Sequence, residues 1–295
     1  LGVPRSGQAP TYVDPAVLAE RMGLTIKTQR ISQDSSVFGQ LYFADRDAEL
    51  VDIRTGELIP VHIDAKTIVV DPTIFILRNL GSYNNTVIHE CVHWDKHRKV
   101  FELERLYNDQ ATRLSCEVVG GVRADISKSA MEFMEKQANA LTPRIQMPMG
   151  SFKTRACEHI RNYMRQPDSS HVVDVMEAVI DSLVIDYGVS RQAAKIRLVE
   201  LGFEEAIGTF TYIDGHYVKP HSFKKGAIKV NQTFSIGAQD AAIQSFVNPA
   251  LRSLAENGNY QYVDSHFVLN TPQYLTVDAD GSMMLTDYAR THMDE

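Results

Sequence analysis

The sequence predicts an α+β fold: a small N-terminal sheet, a helical centre, and a C-terminal domain of hairpins plus a helix. Three observations carry this reading. Short runs of β-branched and apolar residues, separated by Gly- and Asp-containing turns, fill residues 24–70. Helix-period apolar stripes dominate from about 80 to 205. From about 206 aromatics alternate with polar residues between turn dipeptides. The chain of 295 residues is long enough for two domains, and this change of texture divides it into 1–205 and 206–295.

The first helix is expected from Asp14-Pro15, an N-cap followed by a first-turn proline, and should end at Gly23. Strands are expected over 24–29, 37–43, 49–53 and 67–70. Ile68, Val69 and Val70 are consecutive β-branched residues, the mark of an interior strand. Such a sheet offers an edge to which an extended peptide can add as a strand. Residues 74–80 then lead through Gly81, Asn84 and Asn85 into the helix that carries the main motif.

That motif is His89-Glu90-Cys91-Val92-His93, a His-Glu-x-x-His on a stretch whose Ile88, Cys91 and Val92 form an apolar face. Residues four apart on a helix share a face, so His89 and His93 point two imidazoles at one ion. Zinc takes such ligands at about 2.0–2.1 Å. Glu90 projects about 100° round the helix from His89, which sets a carboxylate beside the ion as a general base for its water. Cys91 points away from the histidine face and reads as apolar filler. His97 lies about 12 Å along the helix from His89, too far to share the ion, and is expected at the surface.

A catalytic zinc site needs a third protein ligand. Downstream, Met131, Met134, Ala138 and Leu141 form a stripe expected to end at Pro143, with Glu135 and Asn139 as i, i+4 neighbours beside it. Glu135 as ligand, with Asn139 holding a metal-bound histidine, is sound zinc chemistry; Glu132 is a rival one turn earlier. The pair of segments, His89-Glu90-Cys91-Val92-His93-Trp94 and Glu135-Lys136-Gln137-Ala138-Asn139-Ala140-Leu141-Thr142-Pro143-Arg144-Ile145-Gln146-Met147-Pro148, resembles the ImmA/IrrE family of metallo-endopeptidases. The resemblance covers roughly residues 10–205 and departs at Leu141-Thr142, where the family often has Phe-Ala. It implies a zincin-like fold, with His89, His93 and Glu135 as zinc ligands and Glu90 as the base. It also implies site-specific cleavage of a helix-turn-helix transcriptional repressor. Tyr83, His159, Tyr163 and Tyr187 are all open as donors to the oxyanion.

Residues 107–129, with Gly120-Gly121, separate the two motifs as either a lid or an ordinary connection. Helices are expected over 152–164, 172–187 and 191–201, the last capped by Ser190. The segment 172–202 resembles a helix-turn-helix, which supports a rival reading: a non-catalytic, zinc-containing regulatory or DNA-binding module. Ala194, Leu198 and Leu201 at i, i+4 and i+7 equally describe a packing face. Asp214-Gly215, Asp264-Ser265 and Asp280-Gly281 mark three hairpins, with one helix over 239–256. Asp278-Ala279-Asp280-Gly281 lacks the remaining ligands of a calcium loop and reads as a turn.

Hydrophobic content of 44% and charged content of 23% are those of a globular chain, and no apolar run approaches the ~20 residues that span a bilayer. The start Leu1-Gly2-Val3-Pro4-Arg5 leads into no apolar signal region. Cys91, Cys116 and Cys157 are sparse and odd in number, which fits a reducing cytoplasm. A net charge of −7 gives no electrostatic footprint for nucleic acid.

Overall fold

The computed structural model describes residues 12–107, 113–117, 128–167, 169–209, 211–228 and 232–295. The chain forms two compact units. One holds the residues up to Arg155 with Ser182–Arg197; the other holds Ala156–Asp181 with Leu198–Glu295.

The first unit opens with α1 (Pro15–Arg21), where Asp14 Oδ1 accepts from the amides of Ala16 at 2.9 Å and Val17 at 3.3 Å. Gly23 follows with φ +72°, a left-handed position that glycine takes without a Cβ clash. Strands β1 (Thr25–Thr28), β2 (Val37–Tyr42), β3 (Arg46–Val51), β4 (Leu58–Ile63) and β5 (Thr67–Val70) come next. After them come the short helix α2 (Ile74–Leu77), the long α3 (Leu80–Tyr107), β6 (Arg113–Glu117) and α4 (Lys128–Gln146).

β1, β5, β2 and β6 make one mixed sheet in that order, with β5 parallel to β1 and antiparallel to β2. All four residues of β5 are buried, as an interior strand requires. The period-2 alternation of a strand assigns its two faces. Ile68 and Val70, with Leu41 of β2, pack on Val87, Cys91 and Trp94 of α3. Val69 and Tyr42 turn the other way onto Ala48, Leu50 and Ile63 of the β3–β4 hairpin. The sheet is thus sandwiched between the hairpin and α3. Fully burying each Val, Leu or Ile contributes about 1.5–3 kcal/mol, so this sandwich is what anchors α3.

Several details differ from the sequence expectations: β6 was not among the expected strands, and β3 covers Arg46–Val51 where a strand was expected over 49–53. β4 was not among the expected strands, and Pro60 within the run disfavours one locally. It forms because it pairs only with β3, and Pro60 sits opposite Glu49 in a two-stranded ribbon. α4 does not stop at Pro143 but runs on to Gln146. Pro143 cannot donate to the carbonyl of Asn139, and Asn139 is exposed, so water can serve that carbonyl instead. Of residues 107–129, read as either a lid or an ordinary connection, Tyr107 ends α3, Arg113–Glu117 form β6 and α4 starts at Lys128; the others lie outside the described residues.

Three further helices follow: α5 (Met149–Tyr163), α6 (Val172–Tyr187) and α7 (Arg191–Glu200), and the division between units falls within each of them. Ser190 Oγ caps α7 by accepting from Ala193 N at 3.2 Å. Of the stripe Ala194, Leu198 and Leu201, the first two are wholly buried and the third is half-buried.

In the second unit each expected hairpin forms: β7 (Tyr212–Ile213) with β8 (His216–Tyr217), then, further along the chain, β9 (Tyr260–Val263) with β10 (His266–Leu269), and β11 (Leu275–Val277) with β12 (Met283–Leu285). Asp214 and Gly215 have φ of 50° and 83°, and Asp264 and Ser265 have 49° and 64°, the paired positive values of a two-residue hairpin turn. Asp278 Oδ1 accepts from Asp280 N and Ser282 N at 2.9 Å each, which is the expected turn. The single helix expected over 239–256 is instead α8 (Ala238–Val247) and α9 (Pro249–Glu256). Asn248 caps α9, with Pro249 at its first position, so the signal for a new start was present inside the stripe. The chain closes with α10 (Asp287–Thr291), whose Arg290 pairs with Asp174 at 2.8 Å. No described helix is long and apolar enough to cross a membrane.

Candidate metal centre

Residues 87–94 of α3 are buried on every side of the helix, because the sheet covers one face and α4 another. The polar pair His89 and His93 therefore sits inside the unit, at 3% and 1% exposure, and Glu90 is fully buried. Two close approaches set α3 in place. Asn84 Nδ2 donates to Gly188 O at 2.7 Å near the start of the helix. Gly39 of β2 lies against Thr86 and Glu90, so that an added Cβ would overlap Thr86 Cγ2 and meet Glu90 Oε1 at 3.4 Å. Gly39→Ala is accordingly expected to cost about 1–3 kcal/mol by overpacking, read as a lower midpoint in denaturant unfolding. An unchanged midpoint would mean that β2 and α3 separate freely.

α4 brings Glu135 to the histidines. His93 Nε2 is 3.0 Å from His89 Nε2, while Glu135 Oε2 is 3.4 Å from His89 Nε2 and Glu135 Oε1 is 3.3 Å from His93 Nε2. Ligands at about 2.0–2.1 Å from a tetrahedral ion are separated by about 3.3 Å, so these three separations match edges of one coordination tetrahedron. Glu135 Oε1 is buried, and its near polar neighbour is His93 Nε2 at 3.3 Å. His89, His93 and Glu135 are the group among the described residues that could hold a metal ion. Glu132 is exposed, which leaves Glu135 as the carboxylate of this group.

Burial, and then the neighbouring His93, push the His89 pKa down to about 4, so it presents a lone pair at neutral pH. Burial pushes Glu135 upward, but the imidazoles of His93, His89 and His97 outweigh it and hold the carboxylate ionised below its ordinary range. Glu90 moves the other way, raised by burial to about 7, with His93 opposing and Glu135 adding to the rise. The Cys91 thiol is pushed up to about 12 by burial and by Glu90, which makes it an inert core residue.

In the metal-free protein the shifts of His89 and Glu90 act in opposite senses. The contribution of His89 is complete above its unfolded value of 6.5 and is lost as pH falls through about 4. That of Glu90 is complete below its unfolded value of 4.5 and is lost as pH rises through about 7. The metal-free wild type should therefore change little between pH 4.5 and 6.5. Metal-free Glu90→Gln should gain stability over that window and exceed the wild type at pH 8 by about 3 kcal/mol. Urea unfolding at three pH values checks this; parallel pH profiles for the two proteins would refute the burial account.

Two residues at the centre depart from the sequence reading. His97 is not at the surface: it is 3% exposed, with its Nδ1 3.0 Å from His93 Nδ1 and its Nε2 3.1 Å from Gln137 Oε1. His97 does not join the trio, since it meets His93 at Nδ1 while Glu135 faces Nε2. The amide behind the histidines is Gln137, whereas Asn139 is exposed. The signal for His97 lay in its own spacing, four residues beyond His93 and so on the same helix face. The choice of Gln137 depends on how α3 and α4 cross, which spacing along one helix does not contain.

Of the four candidate oxyanion donors, Tyr83 stacks on Phe75 with ring centroids 4.9 Å apart. Tyr187 is 1% exposed and packs on Phe152 at 5.0 Å. His159 and Tyr163 stack on each other at 6.4 Å in the second unit. None of these ring contacts involves the trio. The chain matches no family model, no curated protein and no solved structure.

Proposed function

We propose that the protein is a zinc-dependent endopeptidase, zincin-like in its catalytic unit and similar to the ImmA/IrrE family. The observation that carries this reading is the union of an ion-sized His89–His93–Glu135 triangle with a fully buried carboxyl, Glu90, next to it in the chain. Two imidazoles and one carboxylate form the ligand set of zinc hydrolases, which leave a coordination position open. A structural zinc would call for a fourth protein ligand, and among the described residues no fourth His, Cys, Asp or Glu joins the group. That difference favours the enzyme over the regulatory DNA-binding module.

Zinc held by these three residues supplies a Lewis acid that polarises a carbonyl and acidifies water. Glu90 takes the proton from the attacking water and returns it to the leaving amine. Its raised pKa, near 7, suits an acceptor that must also give the proton back. Burial makes the transfer efficient by keeping bulk water from competing for it. Glu135 is the most open of the three ligands, with its side chain 30% exposed, so a substrate carbonyl would approach from its side.

The substrate we propose is a helix-turn-helix repressor in a reducing cytoplasm, cut once or very few times within an extended or transiently opened segment. A centre this enclosed supports narrow access, and an extended segment can add to a sheet edge before cleavage. Incubation with candidate repressors should give one or a few chelator-sensitive cuts and little digestion of casein-like substrates. Cleavage of unfolded proteins at many sites would sink the dedicated-repressor reading and leave the zinc chemistry standing.

A further inference from the structure

The contacts behind His93 contain a proton order. The oxygen of Gln137 can only accept, so His97 Nε2, 3.1 Å away, is the donor of that hydrogen bond. A neutral imidazole carries one N–H, so His97 Nδ1 is then an acceptor. It faces His93 Nδ1 at 3.0 Å, a distance at which one of the two nitrogens must hold the proton. The proton belongs to His93. Its other nitrogen, Nε2, is left as a lone pair, 3.3 Å from Glu135 Oε1 and 3.0 Å from His89 Nε2; by the same rule His89 Nε2 holds the proton there in the metal-free chain, and a bound ion would displace it.

We infer that Gln137 and His97 are positioning residues: a relay that fixes His93 in its Nδ1–H tautomer and so presents Nε2 to a divalent metal ion. The inference rests on reading the trio as a metal site. The direction of the relay matters. Were the amide nitrogen of Gln137 to face His97, each donor and acceptor would reverse, and the proton would land on His93 Nε2, where the lone pair is needed. A residue that merely filled space would be indifferent to that direction.

The ladder geometry supports the assignment. His89, His93 and His97 sit one turn apart on α3, with ring centroids 4.7 Å and then 4.9 Å apart. His93 is thus held from both sides, by His89 and Glu135 at Nε2 and by His97 at Nδ1. Partners of this kind fix a metal-bound histidine's tautomer and ring orientation.

The test uses the full chain, with zinc or cobalt affinity measured by competition with a chromophoric chelator. His97→Leu should weaken binding by about 10–100-fold, and Gln137→Leu should weaken it too. His97→Gln, which restores an acceptor for His93, should recover most of the loss, and Gln137→Glu should show none. Melting temperatures of the metal-free variants separate relay loss from misfolding. Long-range nitrogen–proton spectra of the metal-free wild type should show His93 protonated at Nδ1 and His97 at Nε2. Affinities within twofold of the wild type for both leucine variants, or a proton on His93 Nε2, would overturn the relay. A wild type that takes up no metal would instead refute the metal-site reading, while the spectra would still decide the relay.

Discussion

Glu90→Gln is expected to keep stoichiometric metal and to lose about 10²–10⁴-fold in peptide hydrolysis, the range for removal of a general acid–base. The metal stays because His89, His93 and Glu135 are untouched and their mutual separations do not involve Glu90. The rate falls because the amide is nearly the shape of the protonated carboxyl and has no proton to exchange. Glu90 is fully buried, and both its carboxylate oxygens lack a hydrogen-bond partner among the described residues, which is costly for a group with no task. The same substitution should stabilise the metal-free protein at pH 8. A variant that loses activity while gaining stability is the signature of a side chain kept for chemistry. Normal turnover by metal-loaded Glu90→Gln would show that another group moves the proton.

Removal of a ligand should have a comparably large effect on metal content. His89→Ala, His93→Ala and Glu135→Ala are each expected to emerge from purification without stoichiometric zinc. Glu132→Ala should retain it, because that side chain lies on the exposed face of α4. Thermal unfolding gives a second readout. A ligand present at a hundred times its dissociation constant stabilises the folded chain by about 2.7 kcal/mol, and this difference between loaded and stripped protein should vanish in the three ligand variants. Retained zinc in Glu135→Ala, with loss in Glu132→Ala, would move the third ligand by one turn. A surface His97 could be replaced without effect on metal content; its burial against His93 instead places it beside a candidate metal ligand.

Much of the centre could be read from the chain alone because helical spacing is a local property. Four residues make about one turn, so the positions of His89 and His93 already imply a shared face, and the place of Glu90 follows from the same periodicity. Turn chemistry is local too. Asp14-Pro15, Asp214-Gly215 and Asp264-Ser265 announced their helix start and hairpins because their backbone preferences do not depend on distant neighbours. Asn248-Pro249 carried the same kind of signal, and the continuous stripe around it concealed the break. The interior position of β5 was legible because only a strand buried on both faces tolerates consecutive apolar residues.

Other features were settled only by tertiary structure. Spacing made Glu135 and Glu132 rivals one turn apart, and the packing of α4 on α3 brings Glu135 to the histidines. Pairing with β3 turned the Pro60 segment into a strand against its local preference. Gly39 gives no sign in sequence that it makes room for Glu90, since β2 and α3 meet only in the folded unit. His97 and Gln137 lie forty positions apart and belong to different helices. Periodicity along one helix says which side chains share a face; it carries no information about what that face meets. The helix crossing supplies that information, and with it the buried partner that turns His97 from an expected surface residue into the neighbour of a candidate metal ligand.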